Sequence, residues 1–362
     1  MQLAPAPLNP GRWRTALVVI ARDEAPRIAR LLDSVAPWVD QLLVLDTGSQ
    51  DDTAGVAQRC GAEVRHFAWC DDFSAARNAA LAAAGADWHL VMDADEWLQE
   101  GGPALAALRH TAPEFVGVLR LDDRGAAAGL VHTWLSRVLP GTLRYAGRVH
   151  EQPQHALPQR RLPLVVGHDG YAPERLAAKR GRNHALLQAE LQAAPDDAYL
   201  WFQMGKNQGV YAPQASDPAA EHAAAAQALQ RADALRPAQA PWAHDLAARL
   251  LYALRCAGRH AEGWAWAEAR LQTHEDSPDF FFALGDLLLD WTATRPGDAL
   301  ALLEMAEAAW RRCLELGERP DQSGSVQGRG SHLAAHNLAL VCEGLGRAEE
   351  ARALRLRFKL PG

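Results

Sequence analysis

Long apolar runs are missing from this chain: no stretch approaches roughly eighteen uninterrupted apolar residues, which excludes a membrane-spanning helix. Met1 to Pro10 lacks a basic segment leading into an apolar one, so a secretory signal is not expected. Cysteine is scarce, with five in 362 residues and no two at CxxC spacing, and the odd number fits no disulfide framework. A reduced cytoplasmic protein with buried structural thiols is the expectation. Positive charge is not in excess either. The formal net charge is -7, so no global field draws nucleic acid or anionic membrane. The local group Arg144, Arg148, Arg160 and Arg161 either meets phosphate or is a solvated face. Glycine is absent from Ala21-Arg22-Asp23-Glu24-Ala25, where a loop holding a triphosphate would ordinarily want it.

What is present is enough apolar material, 49% of the chain, for a real core and enough length for two domains. The first half alternates. Apolar β-rich runs at Thr15 to Ala21, Gln41 to Leu45, Glu63 to Phe67 and Trp88 to Met92 are separated by helical patterns through Ile28 to Val35, from Asp51-Asp52-Thr53, and at Phe73 to Ala83. Strands and helices at this spacing predict βαβ crossovers and a mostly parallel sheet covered on both faces. Glu114 to Leu121 and Val131 to Leu139 read as further strands with a mixed or antiparallel edge, and Leu162 to Gly167 as a short one ending in His168.

Acids stand where the strands stop. Asp23, Asp46 and Asp93 all follow apolar runs, which brings them to the strand-end rim where open α/β sheets hold ligands. Asp93 and Asp95, with Glu96 directly behind, are hard oxygen ligands two residues apart, a spacing that suits a divalent cation and, through it, phosphate. The alternative is an ordinary acidic turn or helix cap. Asp46, followed by Gly48, either accepts from a base or ribose or caps its own loop. Arg77, near the start of a helix, either binds phosphate bidentately or pairs with Asp71 or Asp72. His168 either completes metal coordination or is a hydrogen-bonded core histidine. Trp134 and Tyr145 are sugar-facing or core aromatics.

From Pro173 the composition turns helical. Tyr199-Leu200-Trp201-Phe202-Gln203-Met204-Gly205, Trp242 to Gly258, Asp279 to Leu289 and His332 to Gly346 share a pattern of small and large apolar residues. Two of them continue alike, as Gly258-Arg259-His260-Ala261-Glu262 and Gly346-Arg347-Ala348-Glu349-Glu350. Such spacing predicts stacked helical hairpins of tetratricopeptide type. Arg319 to Ser331, rich in Gly and Ser, reads as a flexible loop.

Four motifs in order carry a resemblance: Val18 to Glu24, Val44 to Thr53, Asp71 to Asn78 and Val91 to Glu96. Together they resemble the family 2 glycosyltransferases of GT-A fold, and most of all the branch with a tetratricopeptide-like tail, which includes lipopolysaccharide-core sugar transferases and peptide S-glycosyltransferases. The resemblance implies an N-terminal tail (1–14), a GT-A-like α/β domain that binds a nucleotide-sugar (15–172) and an all-α helical-hairpin domain (173–362). It implies donor contacts from Asp46, Arg77 and Asp93 and Mn²⁺ or Mg²⁺ at Asp93 and Asp95; beside these, Ala21, Arg22, Asp23 and Glu24 are expected to line the donor and His168 to complete the metal's ligands. UDP-glucose or UDP-N-acetylglucosamine heads the donor list by resemblance alone. In that branch an Arg-Val-His-Glu segment faces the donor site, which makes Glu151, in Arg148-Val149-His150-Glu151, the general base of an inverting transfer; pairing with Arg148 or His150 is the alternative. The acceptor stays open among glycan, lipid-linked core and protein or peptide, with a possible protein contact through the helical domain. Two other functions compete. A sugar-phosphate nucleotidyltransferase is disfavoured by the missing glycine loop, and an inactive scaffold by Asp46, Asp93, Asp95 and Glu151, read as carboxylates left unpaired at one rim.

Overall fold

The computed structural model describes residues 11–126, 129–168 and 173–361. The chain divides into two compact units, residues 1–127 with 133–177 and residues 128–132 with 178–362.

In the first unit β1 (Thr15–Ala21), α1 (Ile28–Val35), β2 (Gln41–Asp46), α2 (Thr53–Arg59), β3 (Glu63–His66), α3 (Phe73–Ala84) and β4 (Trp88–Asp93) follow the expected alternation. Next come β5 (Glu96–Glu100), α4 (Gly102–Ala107), β6 (Val116–Ala126), β7 (Gly129–Pro140), β8 (Arg144–Ala146), β9 (Gln152–Gln154) and β10 (Gln159–His168). The main sheet runs β3-β2-β1-β4-β7-β6-β10-β5, and β8 and β9 form a small sheet of their own. Strands β3, β2, β1 and β4 are parallel; β7 joins β4 antiparallel, and β5 joins β10 antiparallel. Both faces are covered, and the strand period shows how. Leu17, Val19, Val44, Leu90 and Met92 pack with Ile28, Leu31, Leu32 and Val35 of α1. Ala16, Val18, Leu43, Leu45 and Val91, one residue out of phase, pack with Ala76, Ala80 and Leu81 of α3.

The helices of the second unit begin within α5 (Pro173–Ala193). It continues through α6 (Ala198–Tyr211), α7 (Pro218–Leu235), α8 (Ala243–Cys256), α9 (His260–Glu268), α10 (Pro278–Thr292), α11 (Ala299–Leu316), the two-residue strand β11 (Ser325–Val326), α12 (His332–Gly344) and α13 (Ala348–Phe358). The repeated small residue of the sequence pattern has a packing reason. A methyl group at Gly205 would lie 2.5 Å from Leu229 Cγ of the next helix, and one at Gly285 would lie 2.6 Å from Trp310 Nε1. Only glycine lets these helices approach so closely. No helix among the described residues is long and apolar enough to cross a membrane.

The loop from Arg319 to Ser331 is not the loose connection its composition suggests. Asp279 accepts from Val326 N at 3.0 Å and Arg329 Nη1 at 2.8 Å, Glu318 accepts from Gly328 N at 2.9 Å, and Gln322, Ser325 and Val326 are buried. One of its anchors, Asp279, lies on a distant helix, where local composition gives no sign of it.

Candidate active site

Strand register builds the rim. In the ladders flanking β1, Ala21 lies opposite Asp46 of β2 and Ile20 opposite Asp93 of β4, so the two acids straddle the end of the central strand. Asp46 is buried, and its Oδ1 accepts from Gly48 N at 3.2 Å, Ser49 N at 2.9 Å and Ser49 Oγ at 2.7 Å, while Oδ2 faces His66 Nδ1 at 3.4 Å. It therefore shapes its own loop with one oxygen and keeps the other beside His66. Gly48 has φ +104 with nothing within 4 Å of where a Cβ would be, so conformation rather than crowding calls for glycine there. The segment Ala21 to Glu24 is stitched to the same loop. Asp23, at φ 56, donates its N–H to Ser49 Oγ and accepts from Gln50 N at 2.7 Å, and Glu24 N donates to Thr53 Oγ1 at 2.8 Å. Arg22 lies beside Asp23 at 3.9 Å, with both side chains well exposed.

Arg77 is neither on the surface nor paired with Asp71 or Asp72. Asp72 caps α3, accepting from Ala75 N at 2.9 Å, and Asp71 accepts from Trp69 Nε1 at 2.8 Å. Buried inside α3's first two turns, Arg77 donates through Nε to Glu151 Oε1 and through Nη2 to Asp93 Oδ1 at 2.6 Å. One guanidinium thus joins two acids that stand 58 positions apart in sequence. Asp93's other oxygen accepts from Arg137 Nη2 at 2.9 Å, and Arg137 also stands 3.6 Å from Glu96 Oε1. Glu96 closes the turn by accepting from Asp93 N at 2.8 Å. The result is a row of alternating sign: Glu151, Arg77, Asp93, Arg137, Glu96.

The expectation of unpaired rim carboxylates is thereby corrected: Asp93 and Glu151 converge on Arg77, Asp46 is bonded to its own loop, and Asp95 faces His168. Although desolvation works against its charge, Arg137 and Arg77 hold the Asp93 carboxyl far below the usual carboxylate range. At the end of the row the balance differs. Burial, with the charge of Asp93 added, outweighs Arg137 and pushes Glu96 up to about 7.

Tyr145, on β8, lies against this row. Its backbone is clamped by Asn78, which donates to Tyr145 O at 2.9 Å and accepts from Tyr145 N at 2.8 Å, and the ring centroid is 5.7 Å from the Arg77 guanidinium carbon. Consecutive residues of α3 therefore fix both the guanidinium and the ring. Arg77 Nη1 and the Tyr145 hydroxyl are buried without a hydrogen-bond partner among the described residues. Two such donors suit an incoming oxygen acceptor. Trp134 instead carries the Arg161 guanidinium over its ring at 4.2 Å.

Asp95 sits apart from the row, beside His168. Nε2 of His168 is 3.5 Å from Asp95 Oδ2, and Nδ1 is 3.3 Å from Asp123 Oδ1. Burial alone would lower the imidazole's pKa, but the Asp123 and Asp95 carboxylates on either side of the ring reverse that and push it up to about 10. Among the described residues no group of three or more His, Cys, Asp or Glu side chains is arranged to hold an ion. Asp95 and His168 nevertheless offer one oxygen and one nitrogen side by side, a donor pair suited to Mn²⁺ or Mg²⁺ whose remaining ligands are phosphate and water. Asp93 gives one oxygen to Arg77 and the other to Arg137.

Residues 16–133 match the family model described as Glycosyl transferase family 2. Over that stretch the chain is similar to the family 2 glycosyltransferases. An α/β domain followed by an all-α unit that resembles a tetratricopeptide domain is consistent with the architecture the motifs implied. A TPR repeat-containing protein of Synechococcus elongatus is 37% identical over 208 residues, covering 53% of this chain and 51% of its own. The SPbeta prophage-derived glycosyltransferase SunS of Bacillus subtilis is 28% identical over 201 residues, 52% of this chain and 47% of its own. The chain thus spans about half the length of the curated relatives it matches. Among solved structures, glucosyl-3-phosphoglycerate synthase from Mycobacterium tuberculosis with Mn²⁺, UDP and glucosyl-3-phosphoglycerate matches 32% of this chain and 46% of that one, at 27% identity and a TM-score of 0.27, a likeness too partial to carry an inference.

Arg137, Asp123 and Asn78 join these residues and escaped the sequence reading, and Glu96 was given no role of its own. Only Glu96 had a local signal, as the third acid of its turn.

Proposed function

We propose that the chain is an inverting, metal-dependent glycosyltransferase that moves a sugar from a UDP-sugar, UDP-glucose or UDP-N-acetylglucosamine by family resemblance, to a glycan, lipid-linked or peptide acceptor. The supporting observation is the buried row itself, in which Arg77 joins Glu151 to Asp93. Removing one partner of a buried pair is strongly destabilising, whereas replacing the whole set by apolar residues is often neutral, so stability alone gives little reason to keep it. This bears on the scaffold reading better than unpaired acids did.

In the proposed reaction Asp46 accepts from the base, Asp93 from the ribose, and the backbone from Ala21 to Glu24 walls the nucleotide. Arg77 and Arg137 place positive charge where the diphosphate departs. A divalent cation at Asp95 and His168 would supply Lewis-acid neutralisation of that leaving group. Glu151, across the guanidinium from Asp93, takes the acceptor's proton as the acceptor oxygen or sulfur attacks the anomeric carbon and the sugar–phosphate bond breaks on the opposite face. A cytoplasmic location is part of the same proposal, supported by five cysteines that are all free thiols. Release of the nucleoside diphosphate from a panel of nucleotide-sugars, with Mn²⁺ present and water as surrogate acceptor, tests it. Release from UDP-sugars that ceases in Asp95→Ala is expected; no release from any donor would overturn it.

A further inference from the structure

Three adjacent strands set three polar side chains in line. His168 ends β10; in the ladders it lies opposite Asp123 of parallel β6 and opposite Glu96 of antiparallel β5, and Asp95 immediately precedes β5. The sheet's backbone hydrogen bonds therefore bring Asp123 to one edge of the imidazole and the turn leading into β5 brings Asp95 to the other: Nδ1 faces Asp123 at 3.3 Å and Nε2 faces Asp95 at 3.5 Å. The three side chains are at most 18% exposed, which protects the arrangement from competing water.

A neutral imidazole offers a single lone pair. Which nitrogen carries it is set by the hydrogen bond made at the other. The two carboxylates differ in this respect. Asp95 belongs to the turn after β4 and shares the rim with Asp93, whereas Asp123 lies within the sheet, one strand away from that turn. We infer that Asp123 is a positioning residue for the cation: it holds the proton on His168 Nδ1 and orients the ring, so that Nε2 is presented together with Asp95 to a divalent metal. This rests on the metal-dependent reading above and adds to it the group that makes His168 a competent ligand. Loss of Asp123 frees the ring to rotate and to place its proton on Nε2, leaving Asp95 to hold the cation alone.

The test is calorimetric titration of Mn²⁺ into the full-length protein saturated with UDP. Asp123→Ala is expected to weaken Mn²⁺ binding by about 10- to 100-fold, the usual consequence of removing such a partner. Asp123→Asn, which keeps an acceptor for Nδ1–H, is expected to fall between it and the parent, and it also serves if the alanine variant fails to fold. UDP affinity without metal should be the same in all three. In ¹⁵N spectra with diamagnetic Mg²⁺, His168 should be the Nδ1–H tautomer in the parent and a mixture in Asp123→Ala. Parent-like Mn²⁺ affinity in Asp123→Ala, or metal bound through Nδ1, overturns the role of Asp123 alone. Parent-like Mn²⁺ affinity in both Asp95→Ala and His168→Gln overturns instead the cation site on which it rests.

Discussion

Buried charge is handled in opposite ways by the two units. In the helical unit three acids whose side chains are at most 10% exposed each have their own nearby cations: Asp245 takes Lys206 and Arg249, Asp233 takes Arg236 and Arg270, and Asp279 takes Arg329. These are clusters of two or three that fasten one helix or loop to its neighbour. In the sheet unit five groups from α3, β4, β5, β7 and the segment before β9 share their partners end to end. Paired charge fastens, while shared charge couples: a change at one member reaches the next. The comparison teaches where substitutions should be felt as catalysis and where as stability alone.

The sharpest break would come at Glu151. Glu151→Gln keeps size and most hydrogen bonding, so UDP binding should persist while turnover of a hydroxyl acceptor falls by roughly 10²- to 10⁴-fold. A thiol acceptor, closer to ionisation on its own, should lose less. Steady-state rates with the two acceptor types would check this, and turnover within a few-fold of the parent would remove Glu151 from the role. Arg77→Ala comes next. Losing a charge-assisted contact should weaken UDP by about 1–3 kcal/mol, and the melting temperature should drop as well, because Asp93 and Glu151 are left without their common cation. Asp46→Ala should weaken UDP by a similar amount with a smaller thermal effect, since its partners are its own loop. Calorimetry paired with thermal melts separates the two; equal thermal losses would contradict the distinction between shared and local charge.

How much of this was legible beforehand follows from the reach of each signal. Strands β1 to β4 and their terminal acids were readable because apolar runs and helical periods alternate within about ten residues of one another. Strand β5 was not, since Glu96-Trp97-Leu98-Gln99-Glu100 is too short and too acidic to show a period, and neither were the three-residue strands β8 and β9. Arg137 was hidden for another reason. Inside Thr133-Trp134-Leu135-Ser136-Arg137-Val138 it looks like one more solvent-facing residue of an alternating strand, and only the antiparallel pairing of β7 on β4 turns it toward Asp93. Identities at Asp93, Arg77 and Glu151 were readable; that one guanidinium binds both acids is a tertiary fact.

Two smaller effects probe the helical side of the comparison. Gly285→Ala forces a methyl group against buried Trp310 and should destabilise the protein by about 1–3 kcal/mol while leaving UDP affinity unchanged. A shift in UDP affinity would show that the units are not separable in this sense. The least effect belongs to Glu307, held by Arg347 and Arg311. Hydrogen bonds from Arg347, then Arg311, outweigh desolvation and lower its carboxyl from 4.5 to about 2. A depressed folded-state pKa means that stabilisation is complete above about 4.5 and is lost as pH falls toward about 2. Both arginines are more than a third exposed, so solvent screening leaves about 1 kcal/mol or less. Melting curves of the parent and Glu307→Gln should converge across that acid window, and parallel curves would remove the pair from the account.

The placement of Asp46 and Asp93 on either side of β1 has a consequence for how this domain can vary. The two acids are graduations on a ruler made of backbone hydrogen bonds, one strand out from Ala21 and one strand out from Ile20, hence about two inter-strand spacings or roughly 10 Å apart at the backbone. Side chains in the cores above and below the sheet can be exchanged without moving the marks. Drift in packing is thereby uncoupled from the gap between the acids, which changes only if the ladder slips by a whole residue, and such a slip would turn every core side chain of the strand to the wrong face.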